Sequence, residues 1–136
     1  MESEPAVTPA IIFSDSAIRD QATGKLTLVG VFQRFKATEI PFKSPPFFAT
    51  VFVTNMRGKI ESLPVTLNIE DADGRVISTA TGEISATSQV ARNDVAEIAF
   101  PVPATAFTKV GHYKAVVLVK NEALSSRTFS VTNQKP

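Results

Sequence analysis

Cysteine and tryptophan are absent from this 136-residue chain, and histidine and tyrosine occur once each. Without cysteine there can be no disulfide and no thiolate metal site. A single histidine excludes multi-histidine metal sites and leaves one candidate base for a nucleophile. The missing tryptophan weakens a carbohydrate-binding reading, because sugar-stacking platforms draw on exposed Trp and Tyr. Charge of one sign is lacking too: Lys and Arg number 14 against 13 for Asp and Glu. No basic cluster tracks a phosphate backbone, so nucleic acid is not an expected partner. Phe32-Gln33-Arg34-Phe35-Lys36 is the only place where aromatic and basic residues interleave. Nor is there an apolar run near the ~20 residues of a membrane helix. Met1-Glu2-Ser3-Glu4 opens acidic with no apolar region behind it, unlike a secretory signal. A cytoplasmic location without membrane contact is the expectation.

What the chain does have is alternation. Leu63-Pro64-Val65-Thr66-Leu67-Asn68-Ile69-Glu70 places Leu63, Val65, Leu67 and Ile69 on one face of a strand. Asp71-Ala72-Asp73-Gly74 then supplies hairpin chemistry. Similar runs are expected at 10–19, 25–37, 47–56, 76–81, 95–102, 113–120 and 124–132, with no helical period between them. The fold class this predicts is all-β: a single antiparallel β-sandwich of immunoglobulin-like or Greek-key type, with seven to nine strands. Residues 1–8 read as a leader and 9–133 as the domain. The three prolines of Ile40–Pro46 mark a crossing loop. Gly30, in mid-strand, marks a bulge or a close backbone approach.

Each chemically suggestive motif has a plain structural competitor. Asp71–Gly74 opens like a calcium loop, but the twelfth position from Asp71 is Gly82 rather than a glutamate. A turn in which the aspartate satisfies backbone donors is the stronger reading. His112 reads as a surface histidine; no nucleophile elbow accompanies it. Tyr113 follows a corner containing Pro and Gly and reads as an anchor bonded back to that corner. No catalytic residue, cofactor or metal ligand is expected.

Ala10-Ile11-Ile12-Phe13-Ser14-Asp15-Ser16-Ala17-Ile18-Arg19-Asp20 and Thr23-Gly24-Lys25-Leu26-Thr27-Leu28-Val29-Gly30-Val31-Phe32 carry a resemblance. With Ile40-Pro41 and Asp71–Gly74, they resemble an uncharacterised bacterial family of small all-β proteins over about residues 10–80. The resemblance implies a β-sandwich and carries over no activity or site residue.

Six of the ten phenylalanines fall at positions 32, 35, 42, 47, 48 and 52. A two-layer sandwich needs one apolar face per strand, yet several strands here are apolar on both. Phe35, Phe48, Phe52, Val116 and Leu118 are therefore the candidate interaction face; cover of a sheet edge by the proline loop competes with it. The leading functional expectation is a non-catalytic interaction or structural module that self-associates or docks a protein partner through that second apolar face. The alternative is a small-molecule or glycan-binding module with its site in the loops at 40–46 and 85–94. A hydrolase relying on His112 ranks third.

Overall fold

The computed structural model describes residues 6–54, 58–59, 63–84, 89–90 and 96–133, all in strands, turns and loops. In chain order the strands are β1 (Ala6–Arg19), β2 (Leu26–Phe32), β3 (Phe35–Ala37), β4 (Phe42–Lys43), β5 (Phe47–Thr54), β6 (Gly58–Lys59) and β7 (Leu63–Glu70). They continue with β8 (Val76–Ile84), β9 (Gln89–Val90), β10 (Ala96–Val102), β11 (Ala106–Phe107), β12 (Gly111–Val119) and β13 (Glu122–Asn133). One sheet has the order β10-β5-β1-β2 and the other β3-β13-β12-β7-β8; β4 pairs with β11 and β6 with β9. The chain crosses between sheets from β5 to β7, from β8 to β10 and from β10 to β12. Hairpins β7–β8 and β12–β13 stay within the second sheet. That is immunoglobulin-like Greek-key connectivity, and the fold is an all-β sandwich.

Alternation sets the core. Leu63, Val65, Leu67 and Ile69 of β7 meet Ala115, Val117 and Val119 of β12, and all are at most 3 % exposed. Opposite them, β5 contributes Phe47, Ala49, Val51 and Val53, β1 contributes Ile11 and Phe13, and β10 contributes Phe100 and Val102. Gly82 of β8 leaves room at one side of the sandwich. A Cβ there would lie 3.2 Å from both Ile98 and Phe100 of β10.

Two features depart from the expected strands. Strand 25–37 is broken at Gln33-Arg34: β2 stays in the first sheet, while β3 joins the second and runs parallel to β13. That ladder is parallel, so the sandwich is not wholly antiparallel. β1 also begins at Ala6, inside the stretch read as a leader, where Ala6 pairs with Thr54. The 85–94 loop lies outside the described residues except for Gln89–Val90.

A third departure is a fold-back. Ser14 stands opposite Phe48, and Phe48 opposite Pro101. Glu97 lies four residues from Pro101 in one direction along the sheet, and Arg19 five residues from Ser14 in the other. In a straight sheet they would be about 30 Å apart. Yet Arg19 Nη1 is 3.5 Å from Glu97 Oε1, and Nη2 donates to the Glu97 carbonyl at 3.4 Å. The β1–β2 hairpin beyond Ser14 therefore turns back over the outer face of its own sheet. Beneath it, Ser14 and Thr50 are completely buried, although both point away from the main core. Thr50 Oγ1 has no hydrogen-bond partner among the described residues. Ala17, Leu26 and Leu28 are half-buried on the face of the hairpin that carries Arg19.

The bend lies where Asp15 and Gly30 fall between the Ser14–Val31 and Ser16–Val29 pairs. Gly30 has φ +70°, and a Cβ on it would lie 2.3 Å from Asp15 Oδ2. The sequence offered a bulge or a close backbone approach; the β1–β2 register shows no shift, and what approaches Gly30 is the Asp15 side chain rather than another backbone. Gly30→Ala should cost about 1–2 kcal/mol from the left-handed backbone alone, with Asp15 displaced in addition. Urea denaturation measures that loss, and faster tryptic cleavage at Arg19 or Lys25 would show that the arm has lifted.

Candidate functional site

The five residues of the expected interaction face do not form one surface. Phe35 is 7 % exposed and sits in the core. Alternation along an unbroken strand would have turned it outward with Val29 and Val31. The break at Gln33-Arg34 and the change of sheet turn it inward instead. There its ring lies 4.9 Å from Phe32, 5.2 Å from Phe47 and 5.3 Å from Phe107, centroid to centroid. Val116 points to the outer side of β12 but is only 8 % exposed, flanked in register by Asn68 and Ser126. Leu118 is half-buried on that same outer side. Phe48 and Phe52 are half-buried on the outer side of the other sheet, the side over which the arm turns back to reach Glu97. An open patch of these five is therefore corrected to one core position, Phe35, and four buried or half-buried ones on the outer sides of the two sheets.

The turn and corner readings hold. Asp71 Oδ1 accepts from the Asp73 and Arg75 backbone N–H groups at 3.0 and 2.9 Å, and Gly74 takes φ +81°. At the β1–β2 turn, Asp20 accepts from the Ala22 N–H at 2.8 Å. That bond, with Thr23 also contributing, holds the Asp20 carboxyl below its ordinary pKa. Tyr113 donates its hydroxyl to the Lys109 carbonyl at 2.6 Å, while its ring packs 4.9 Å from Phe107. This tyrosine corner fixes the crossing into β12. Tyr113→Phe should lower stability by about 1–2 kcal/mol, read as a lower urea midpoint at unchanged slope.

Two features of the surface were not legible in the sequence, because both arise where β2 ends. The first is the edge of β2. Val29 is 47 % and Val31 52 % exposed, and Ile18, on the same side of the hairpin, is 57 % exposed. β2 is the last strand of its sheet, and among the described residues only β1 pairs with it. The second is an open hollow of about 700 Å³ at the break itself, with Gln33, Arg34, Lys36, His112, Thr128 and Ser130 among its lining. The spacing of aromatics and basics at 32–36 was the only sequence signal for it.

Among the described residues, no group of three or more His, Cys, Asp or Glu side chains is placed to hold a metal ion. No helix among the described residues is long and apolar enough to cross a membrane.

A comparison with curated proteins finds no match. Two solved structures are similar in part. A β-glucuronidase of glycoside hydrolase family 2 has 13% identity and a TM-score of 0.43; the match covers 69% of this chain and 10% of the enzyme. An immunoglobulin-like protein from Pseudomonas aeruginosa has 15% identity and a TM-score of 0.39, over 96% of this chain and 98% of its own. The chain thus spans about a tenth of the first structure's length. The family model for DUF6941 matches residues 9–132, nearly the whole sandwich. The chain belongs to DUF6941, a family of unknown function.

Proposed function

We propose that this protein is a non-catalytic interaction module that takes up an extended segment of a protein partner on the free edge of β2. The observation that supports this is the edge itself: among the described residues β2 pairs with β1 alone, and Val29 and Val31 are exposed on either side of its bend at Gly30. A strand edge offers a row of backbone donors and acceptors that a second chain can continue. Natural sandwiches blunt such edges with lysine or proline. Here Lys25 precedes the strand, and none of Leu26–Phe32 is charged. Side chains at alternate positions on the added strand would lie beside Val29 and Val31, giving an apolar preference at those sites.

The first occupant to test is a second copy of the chain, joined edge to edge about a two-fold axis. Light scattering across a hundredfold concentration range reads the solution mass. Self-association that Val29→Lys abolishes, with the melting temperature unchanged, is the expected result. A clean monomer would move the test to a heterologous partner, recovered from the source lysate by the wild-type chain and lost by Val29→Lys. Equal recovery by both chains would overturn the edge as the site.

A further inference from the structure

We infer that the hollow at the break between β2 and β3 is a binding site for a small organic oxyanion, a phosphate or carboxylate attached to an apolar body. The inference rests on how the strand break arranges three elements. β13 runs with Phe129 and Val131 inward, at 3 % and 1 % exposure, so Thr128, Ser130 and Thr132 form an outward row of hydroxyls. On one side of that row β3 pairs in parallel, placing Lys36 opposite Thr132. On the other side β12 places His112 opposite Ser130. Arg34, at the break, completes the rim. Cationic and imidazole side chains thus stand on both flanks of a floor of hydroxyls.

Two features separate this from an ordinary charged surface. Among the described residues, the side chains of Arg34, Lys36 and His112 make no hydrogen bond or ion pair. No carboxylate lines the hollow. The acids lie in adjoining hollows: Asp15 lines one that Arg34 and Lys36 also border, and Glu70, Asp71 and Asp73 lie on the far side of His112, where Asp71 already accepts from its own turn. The hollow also has a fixed polar group: Gln33 Oε1 accepts from the Arg127 guanidinium, which leaves the Gln33 NH₂ as a pure donor. Every polar side chain on the lining can therefore donate to an anion.

The remaining walls choose the rest of the ligand. Val31 and Phe32 give the hollow an apolar side. A volume of about 700 Å³ lies in the range of small-molecule sites. Charge-assisted hydrogen bonds orient the oxyanion, and an apolar body would rest against Val31 and Phe32. The site shares Val31 with the strand-addition edge but not Val29, so Val29→Lys tests the two readings separately.

Phenyl phosphate, benzoate and inorganic phosphate are the probes, titrated into the isotope-labelled full chain and followed by NMR. Saturable shifts centred on Arg34, Lys36, His112 and Ser130 are expected with phenyl phosphate or benzoate at millimolar concentration. Which of the two binds tighter assigns the head group. Inorganic phosphate should bind more weakly, lacking the apolar contact, and added salt should weaken all three. The double variant Arg34→Gln/Lys36→Gln, both positions exposed, should bind about tenfold more weakly with its melting temperature unchanged. Val29→Lys should bind like the wild type. Shifts that fail to saturate, that centre elsewhere, or that persist unchanged in the double variant would overturn the site.

Discussion

Phe13→Ala should lower the unfolding free energy by about 3–5 kcal/mol, the largest loss expected from any single truncation in this chain. Phe13 is completely buried. Its ring centroid lies 5.2 Å from Phe129, 5.8 Å from Phe32 and 5.8 Å from Phe47, so it touches both sheets and the end of β2. Arg127 covers it, with the guanidinium carbon 4.4 Å from the ring centroid. Removing the ring therefore leaves a cavity whose walls are held by two sheets and cannot collapse into it. A domain of this size has only about 5–15 kcal/mol to lose. The measurement is urea denaturation, and Phe13→Leu should recover more than half of the deficit. A loss under about 1.5 kcal/mol, the range of a conservative swap, would mean that the surrounding rings relax into the space.

Arg127→Met should cost about 2–3 kcal/mol, although the residue is only half-buried and, among the described residues, has no carboxylate partner. The role of this arginine is to close a gap in backbone hydrogen bonding. The β1–β2 ladder runs out at the Phe13–Phe32 pair, because the chain leaves for the other sheet at Gln33. Arg127 Nη1 donates to the Ile11 carbonyl at 2.6 Å, beyond the end of that ladder. Its Nη2 reaches the Gln33 side-chain oxygen, and the Gln33 carbonyl at 3.5 Å. One fork thus ties β13 to β1 and to the break, across the open side of the sandwich. Burial lowers its pKa below the ordinary arginine value, because desolvation disfavours the charged form. The guanidinium nonetheless stays protonated at any working pH, so the loss in Arg127→Met should be flat between acid and neutral pH. Arg127→Lys keeps the charge but not the planar fork, and should recover less than half. Full recovery by lysine would show that charge over the Phe13 ring, rather than the two carbonyl contacts, carries the effect.

The lesson of these two residues extends to the whole chain. Wherever apolar and polar residues alternate within one strand, local pattern sufficed: Leu63–Glu70 lies in the register its sequence implies, and Asp71–Gly74 makes the turn its residues favour. Tyr113 was legible for the same reason, since its partner Lys109 is four residues away. Phe35, Phe48 and Phe52 were not. Their exposure depends on whether a strand continues, changes sheet or is covered by another part of the chain. An apolar side chain reads the same in all three cases.

By itself, the sequence determined the all-β class, the main strands, the hairpin turns, the tyrosine corner and the absence of disulfides. Each of these follows from residue types a few positions apart, where backbone geometry leaves few choices. Only the tertiary structure decided that the strand after Gly24 breaks at Gln33, that the first hairpin folds back at Asp15 and Gly30, and that Arg127 bridges the resulting gap. The physical reason is distance along the chain. Arg19 meets Glu97 across 78 positions and Arg127 meets Ile11 across 116. Such contacts exist only once the strands have assembled into sheets, and the second only once the two sheets have packed.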